Sequence, residues 1–398
     1  HLFMKNNSYS LSYIRVLYAM WLVRTVLSYL LTYRKSLLIA DQKEYIASIT
    51  GLILNVVSYL AIILLVTWEQ NYLLALGIGT VTEVVLNIWI SWYVEQKYPF
   101  LRQRRKEKST SSLTKRIVRD LKSLFISRIS EKMLYCTDNL IISGFIGVGT
   151  VGRYANYCMI TQAISNILTI LANTIQPTVG DYFTEKNRQR NYEILRQLTF
   201  GFFCIASVVS VGLFSLITPF VRDIWLGPSY ELGWGITVFC IVVLLVRIMG
   251  LPLSLVMGVT GLFEKEKNVG ASSALLNLIV SLALVKPYGM AGVLLGTLLS
   301  YLLQILYRYI IYFRDFLEMP GEALRYAQDI GEYLAVIAGE VLLMQKIVPL
   351  IYGAGGMLLF CVCFLLCIAI PLLLDLVIFG RGWRLQSIVT MVKGMRKA

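Results

Sequence analysis

The chain has 398 residues, of which 57% are hydrophobic and only 15% charged, and its mean hydropathy is +0.68. Charge this sparse excludes an ordinary soluble globule and points to a membrane protein. The formal net charge of +14 would also suit a nucleic-acid binder. Here, however, the basic residues are dispersed between long apolar stretches rather than gathered on one soluble face.

A membrane-spanning helix needs about 20 apolar residues. In chain order such stretches lie at 9–33, 45–67, 72–94, 124–146, 150–175, 198–220, 233–258, 269–285, 290–312, 331–349 and 356–378. Backbone groups in lipid must be satisfied within the span, so these eleven stretches are predicted to be helices and not an open sheet. The expected fold class is all-α, a polytopic transmembrane bundle with two pseudo-related lobes around a central cavity.

Lys and Arg fall on alternate connections. One set, with the tail, carries 26 of them, including Arg34, Lys35, Arg102–Lys108, Arg188, Arg314 and Arg396; the other carries three, Lys5, Arg222 and Lys286. The positive-inside rule puts the rich side in the cytoplasm. With the tail inside and eleven spans, residue 1 falls outside. The chain starts at His1 without the basic n-region or cleavage site of a signal peptide. This parity predicts that an odd number of helices, about three, precedes His1 in the full protein.

The connections are short, which leaves no room for a soluble catalytic domain. The longest polar segment, 95–122, reads as a solvated basic linker whose second half, with Leu113, Ile117, Leu121 and Leu124, has the pattern of an interfacial amphipathic helix. The expected domains are 1–96, the remainder of an N-terminal lobe with three helices; 97–122, the basic linker; 123–316, a six-helix C-terminal lobe; and 317–398, a final helix pair with a basic tail.

Several apparent motifs carry no chemistry. Gly147, Gly149 and Gly152 spell GxGxxG, but they join two spans rather than follow a strand. Gly292 and Gly296 form GxxxG, a mark of close helix packing. The seven cysteines lie within spans and read as small apolar residues; with His1 the sole histidine, no metal site or cofactor is expected. No GxxxxGK[ST] loop is present, so the chain is not expected to hydrolyse ATP.

Charges inside the spans are the informative residues, because such groups are costly and usually face a bundle interior or a watery path. They are Arg24, Glu83, Arg128, Glu131, Lys132, Asp138, Arg247, Arg308 and Glu340. Helical spacing places Arg128, Glu131, Tyr135 and Asp138 on one face, and Asn156, Asn166 and Asn173 on one stripe of the next helix. Glu83, Asn87 and Ser91 form a third stripe. Buried ion pairs holding the bundle would account for some of these. Arginine's planar fork suits phosphate oxygens. Arg247 lies five residues before Pro252, where a kink could form.

The stretch LSYLLTYRKSLLIADQKEYI (27–46) resembles the fourth helix and following loop of Gram-positive polysaccharide and oligosaccharide-lipid flippases. TDNLIISGFIGVGTVGRYANY (137–157) resembles their seventh helix and hairpin. NTIQPTVGDYFTEKN (173–187), FVRDIWLG (220–227), GLFEKEK (261–267) and VKPYGMAGVLLGT (285–297) are similar in order and spacing. The family belongs to the multidrug/oligosaccharidyl-lipid/polysaccharide flippase superfamily, whose members have 12 or 14 helices. On this resemblance the eleven helices are the fourth to the fourteenth. Asp138, Asn139 and Asn156 match the family's pattern, whereas Glu131, Lys132, Arg153 and Arg24 depart from it.

The resemblance implies a transporter, not an enzyme. It would flip an undecaprenyl-pyrophosphate-linked oligosaccharide or polysaccharide repeat unit to the outer leaflet of the bacterial cell membrane by alternating access. Expected partners are the carrier lipid, membrane lipid and enzymes of polysaccharide biosynthesis, with no nucleic acid. Candidate substrate-binding residues are Arg128, Arg247, Asn156, Asn173 and Arg24. Candidates for ion coupling are Asp138, Glu83 and Glu131. The alternatives are a cation-coupled drug or small-molecule exporter of the same superfamily, and a membrane-embedded polysaccharide polymerase. The latter calls for a large outer loop that this chain does not have.

Overall fold

The structure is a computed structural model. It describes residues 11–30, 34–41, 43–69, 72–99, 136–183, 187–260, 262–353 and 355–380. All elements among these residues are helical, in agreement with the all-α expectation. They are α1 (Leu11–Leu30), α2 (Lys35–Ala40), α3 (Glu44–Glu69), α4 (Tyr72–Lys97), α5 (136–145), α6 (Val148–Phe183), α7 (Arg188–Pro219), α8 (Trp234–Val259), α9 (Phe263–Ile311), α10 (Pro320–Tyr352) and α11 (Met357–Phe379). Among the described residues, eight helical segments are long and apolar enough to cross a membrane. Broad apolar exposure along them, as at Leu52, Leu64, Leu365 and Val377, is what lipid-facing helices show.

One of those segments holds two spans. A straight helix of 49 residues would be roughly 73 Å long, more than twice the hydrocarbon core. Gly289 breaks it, at φ 59 and ψ −134, a conformation open to glycine and closed to residues with a Cβ. The chain reverses there. Ser281 on the first arm donates to the Val293 carbonyl on the second at 3.2 Å, and Asn277 donates to Thr297 Oγ1 at 2.9 Å. A Cβ on Gly292 would collide with the Leu284 backbone, and one on Gly296 with Ser281. The GxxxG motif therefore packs this hairpin, and 269–285 and 290–312 are its two arms. Arg128, Glu131, Lys132 and Tyr135 lie outside the described residues, as do most of the 97–122 segment and the tail beyond 380.

The chain divides into two compact units, one holding α1 to α4 and the other α5 to α11. In the first, Leu38, Ala47, Ile90 and Val94 form a small core where α2, α3 and α4 meet. Arg34 caps it, bonded to the Ser91 hydroxyl and paired with Glu95 at 2.6 Å. Beside it Asp41 accepts from Lys43 at 2.5 Å and from the Tyr98 hydroxyl at 2.6 Å. These two donors, Lys43 first, hold the Asp41 carboxyl below its usual range.

In the second unit α7 is the centre, packed on α8, α10 and α11, while α8 also meets α6 and α9. The start of α7 is fixed by Asn187, whose side chain accepts from the Arg190 amide at 3.2 Å. At its far end the helix widens into a π-turn over Phe220–Trp225, and Gly227 (φ 96) turns the chain toward α8. Pro252 lies inside an α8 that is continuous from Trp234 to Val259. Proline cannot donate to the Ile248 carbonyl, so α8 has a weak point there although it runs unbroken. Among the cysteines, Cys136 and Cys361 are exposed on helix surfaces rather than buried, and all seven are free thiols.

Candidate functional site

Two cavities adjoin in the α5–α11 unit. The larger, about 320 Å³, is lined by residues of α5, α6, α8 and the second arm of α9, among them Asp138, Tyr154, Gln162, Arg247, Thr297 and Tyr301. The other, about 200 Å³, lies between α6, α8 and the same arm, with Ser165, Thr169, Arg247, Ser254, Gln304 and Arg308. Arg247 and Tyr301 line both. The Arg247 guanidinium lies 5.5 Å from the Tyr301 ring centroid, a cation–π contact that steadies the charge where the cavities meet.

Asp138 is part of the wall of the larger cavity and is only 4% exposed. Its two oxygens accept from Thr297 at 2.7 Å and from Asn277 at 3.5 Å, both on the α9 hairpin. The same tight turn at Gly289 that brings the arms together brings these two partners to one carboxylate. Nearby, the Asn277 Oδ1 is buried with no hydrogen-bond partner, and the Val293 carbonyl receives Ser281 and, at 3.4 Å, Thr297. The result is a buried carboxylate held by two neutral donors, with further polar oxygens on the same hairpin.

The other candidates are spread more widely. Asp138 turns toward α9 and not toward the asparagine stripe of α6. On that stripe Asn156 donates to its own helix, to the Gly152 carbonyl at 3.0 Å, and Asn166 accepts from Gln162 at 2.9 Å. Asn173 is exposed. Arg24 and Glu83 belong to the α1–α4 unit, where both are half-buried. Arg24 lies across Gly79, which leaves room for its guanidinium; a Cβ there would sit 3.0 Å from it. Arg128 and Glu131 fall outside the described residues. Sequence reading missed Asn277, Thr297, Tyr301 and Gln304 as site residues. Their signal was present but weak, since an uncharged polar residue in a span is common and only the fold shows which ones converge.

Fold and cavity together define a class: an all-α, multi-pass membrane protein with polar cavities between its helices. Residues 2–183 match the family model described as polysaccharide biosynthesis protein. Among solved structures, the chain is similar to one titled lipid II flippase MurJ, inward closed conformation. The TM-score is 0.60 at 15% sequence identity, over 87% of this chain and 70% of that one. A comparison with curated proteins gives no match. The resemblance read from the sequence agrees with the family model over residues 2–183 and, in fold alone, with that structure over most of the chain.

Proposed function

We propose that the chain flips an undecaprenyl-pyrophosphate-linked oligosaccharide or polysaccharide repeat unit across the bacterial cytoplasmic membrane, drawing on a cation or proton held at Asp138. The observation that carries this reading is the pair of adjoining cavities that share Arg247. One of them adds a second arginine, Arg308, and the other is lined by Asp138. Two arginines across one cavity match the two phosphates of a pyrophosphate in charge and in donor geometry. Tyr301, Gln304, Gln162 and Thr169 offer the stacking and hydrogen-bonding groups that a sugar next to the phosphate would use.

Arg128 and Arg24 are further candidates for the head group, with Asn156 and Asn173 for the sugar. Glu83 and Glu131 are further candidates for ion coupling. The mechanism is alternating access: loading at Asp138 tightens the α5–α9 contact, and release loosens it. The α8 helix, weakened at Ile248 by Pro252, is the element that bends and carries Arg247 with it. Enzymes that build the repeat unit on its carrier lipid would supply the substrate.

The test is complementation of a mutant that lacks its polysaccharide flippase, using the full-length protein at native expression level. Restored surface polymer is expected. Failure to restore any pyrophosphate-linked polymer, together with raised resistance to cationic drugs, would assign the chain to the exporters instead.

A further inference from the structure

A second buried acidic centre lies in the unit that carries the cavities, on helices that do not line them. Glu340 of α10 is 3% exposed and Asp375 of α11 is 4% exposed. The Ser207 hydroxyl of α7 donates to Glu340 Oε2 at 2.6 Å. Asp375 lies close enough to feel the Glu340 charge, and the Ser207 hydroxyl is the polar group near both. Even so, Glu340 Oε1 and both Asp375 oxygens have no hydrogen-bond partner among the described residues.

Among the described residues, no Lys or Arg side chain bonds to either carboxyl group. On α7 the neighbouring titratable group is the neutral thiol Cys204. The charged residue of α8 is Arg247, which lines the cavities with α6 and α9. The ion pair that joins α7 and α10, Arg196 with Asp329, lies eleven residues along each helix, roughly 16 Å away by helical rise. Between that pair and the acids sits a layer of rings. Phe203 stacks on Tyr333 at 4.4 Å, and Phe379 packs edge-on against Phe203 at 5.5 Å and Phe200 at 5.5 Å. The acids are therefore sealed on the Arg196 side.

Two like charges in a low-dielectric interior with no cation between them are not a stable arrangement. A proton between them removes one charge and supplies the donor that the orphaned oxygens are missing. It also needs no cavity, which a solvated ligand would. We propose that Glu340 and Asp375 form a proton-binding carboxyl pair, closed by Ser207 and separate from the Asp138 centre. The pair joins three helices, α7, α10 and α11, so gain or loss of its proton acts on how α10 and α11 pack against α7. The chain then has two centres that can respond to ions, one on the cavity and one away from it. The second does not depend on what the cavity carries.

Infrared spectroscopy of the full-length protein in lipid nanodiscs tests this. At neutral pH the wild type is expected to show the carbonyl stretch of a protonated carboxyl group that shifts in D2O. Glu340→Gln with Asp375→Asn removes that band, and either change alone moves or removes it. The result is expected to be the same with and without sodium. If the band region is unchanged in the doubly substituted protein, the pair is ionised and the proposal is wrong. If sodium at fixed pH abolishes the band, the ligand is a metal ion and the proposal is equally wrong. Should the double variant not fold, Ser207→Ala keeps both carboxyl groups and removes one donor. It is expected to shift the band, and an unshifted band refutes the pair. Because the readout is spectroscopic, it is unaffected by failure of the flippase assay.

Discussion

The Arg247 guanidinium and the Tyr301 ring, 5.5 Å apart, form the wall common to two cavities, one lined by Asp138 and the other by Arg308. This contact ties a charge on α8 to the second arm of α9. Thr297, which bonds to Asp138, and Tyr301 lie four residues apart on one face of that arm, so under the proposed mechanism a movement of α9 at Asp138 would reach Arg247.

Replacing Arg247 by alanine is expected to cut transport at least about tenfold, since hydrogen bonds to a charged group are worth about 1.5–3 kcal/mol and each 1.4 kcal/mol is about tenfold. Arg247→Lys should restore only part of it, as the two-pronged geometry is lost. Tyr301→Phe keeps the ring and should be mild, whereas Tyr301→Leu should resemble a weaker form of Arg247→Ala. Surface polymer in complemented cells is the measurement. Wild-type polymer from the Arg247→Ala protein would make this arginine structural.

Asp138→Asn keeps the shape of the Asp138–Thr297–Asn277 cluster but removes its charge. Transport into vesicles should lose its dependence on the coupling ion, with a steep fall in rate, while the protein still folds. Thr297→Val removes the hydroxyl that meets both Asp138 and Asn277 and should weaken the apparent ion affinity rather than abolish transport. An unaltered response to sodium and to a pH gradient in Asp138→Asn would move coupling to Glu83 or another acid.

At Gly289 the backbone sits at φ 59 and ψ −134, so Gly289→Ala forces strain of about 1–3 kcal/mol. Gly292→Val is expected to be worse, since the Leu284 carbonyl lies where the new side chain must go. The yield of monodisperse protein after detergent extraction should drop for both variants, more for the second. Normal yield and melting temperature for Gly292→Val would mean that the hairpin is looser than the structure has it.

Much of the fold was legible because apolar length reports spans directly. Helices occupy each expected stretch that the structure describes, and Gly292 with Gly296 was recognised as a packing motif before its partner was known. The partner itself was not readable. Nothing in the spacing says that Gly292 faces Leu284, because the tight reversal at Gly289 is a property of one backbone conformation. The site shows the same division. Asp138 and Arg247 stood out because a charge in a span is rare. Asn277, Thr297 and Tyr301 did not, as their polarity is ordinary and their convergence depends on three helices. Asp375, inside the expected span 356–378, was not singled out, and the structure buries it to 4% exposure.

The Asp41 carboxyl, held below its usual range by Lys43 and then Tyr98, gives a pH prediction with a definite sign. A carboxyl group whose folded value is depressed contributes its tie at pH above the ordinary carboxylate range and loses it as pH falls through the lowered folded value. The tie between the α2–α3 turn and the end of α4 should therefore be intact at neutral pH and fail only below about pH 4. A fluorinated tyrosine at position 98, read by ¹⁹F NMR, should titrate with a midpoint under that range, and the transition should vanish in Asp41→Asn. A midpoint at or above the ordinary carboxylate value would show that the bonds to Asp41 do not persist in solution.

Arg196 and Asp329 make a two-pronged contact, Nε to Oδ2 at 2.6 Å and Nη2 to Oδ1 at 3.0 Å, joining α7 to α10. The aspartate side chain is 8% exposed and the arginine 20%, so removal of one partner leaves a poorly solvated charge. Breaking a buried pair in this way costs about 3–5 kcal/mol, and the partly exposed arginine should place Asp329→Asn toward the lower end. The Tyr326 hydroxyl, 3.1 Å from Thr199 Oγ1, joins the same two helices one turn away and limits how far they separate. Replacing both charges together, Arg196→Met with Asp329→Leu, should recover most of the loss, since apolar groups of similar size can substitute for a buried pair. Thermal unfolding of the four proteins in one detergent completes a double-mutant cycle. A coupling energy above about 1 kcal/mol is expected for groups in direct contact. Additive single effects would show that each residue acts alone, and the joint between α7 and α10 would then rest on the aromatic packing of Phe200 and Phe203 against Tyr333.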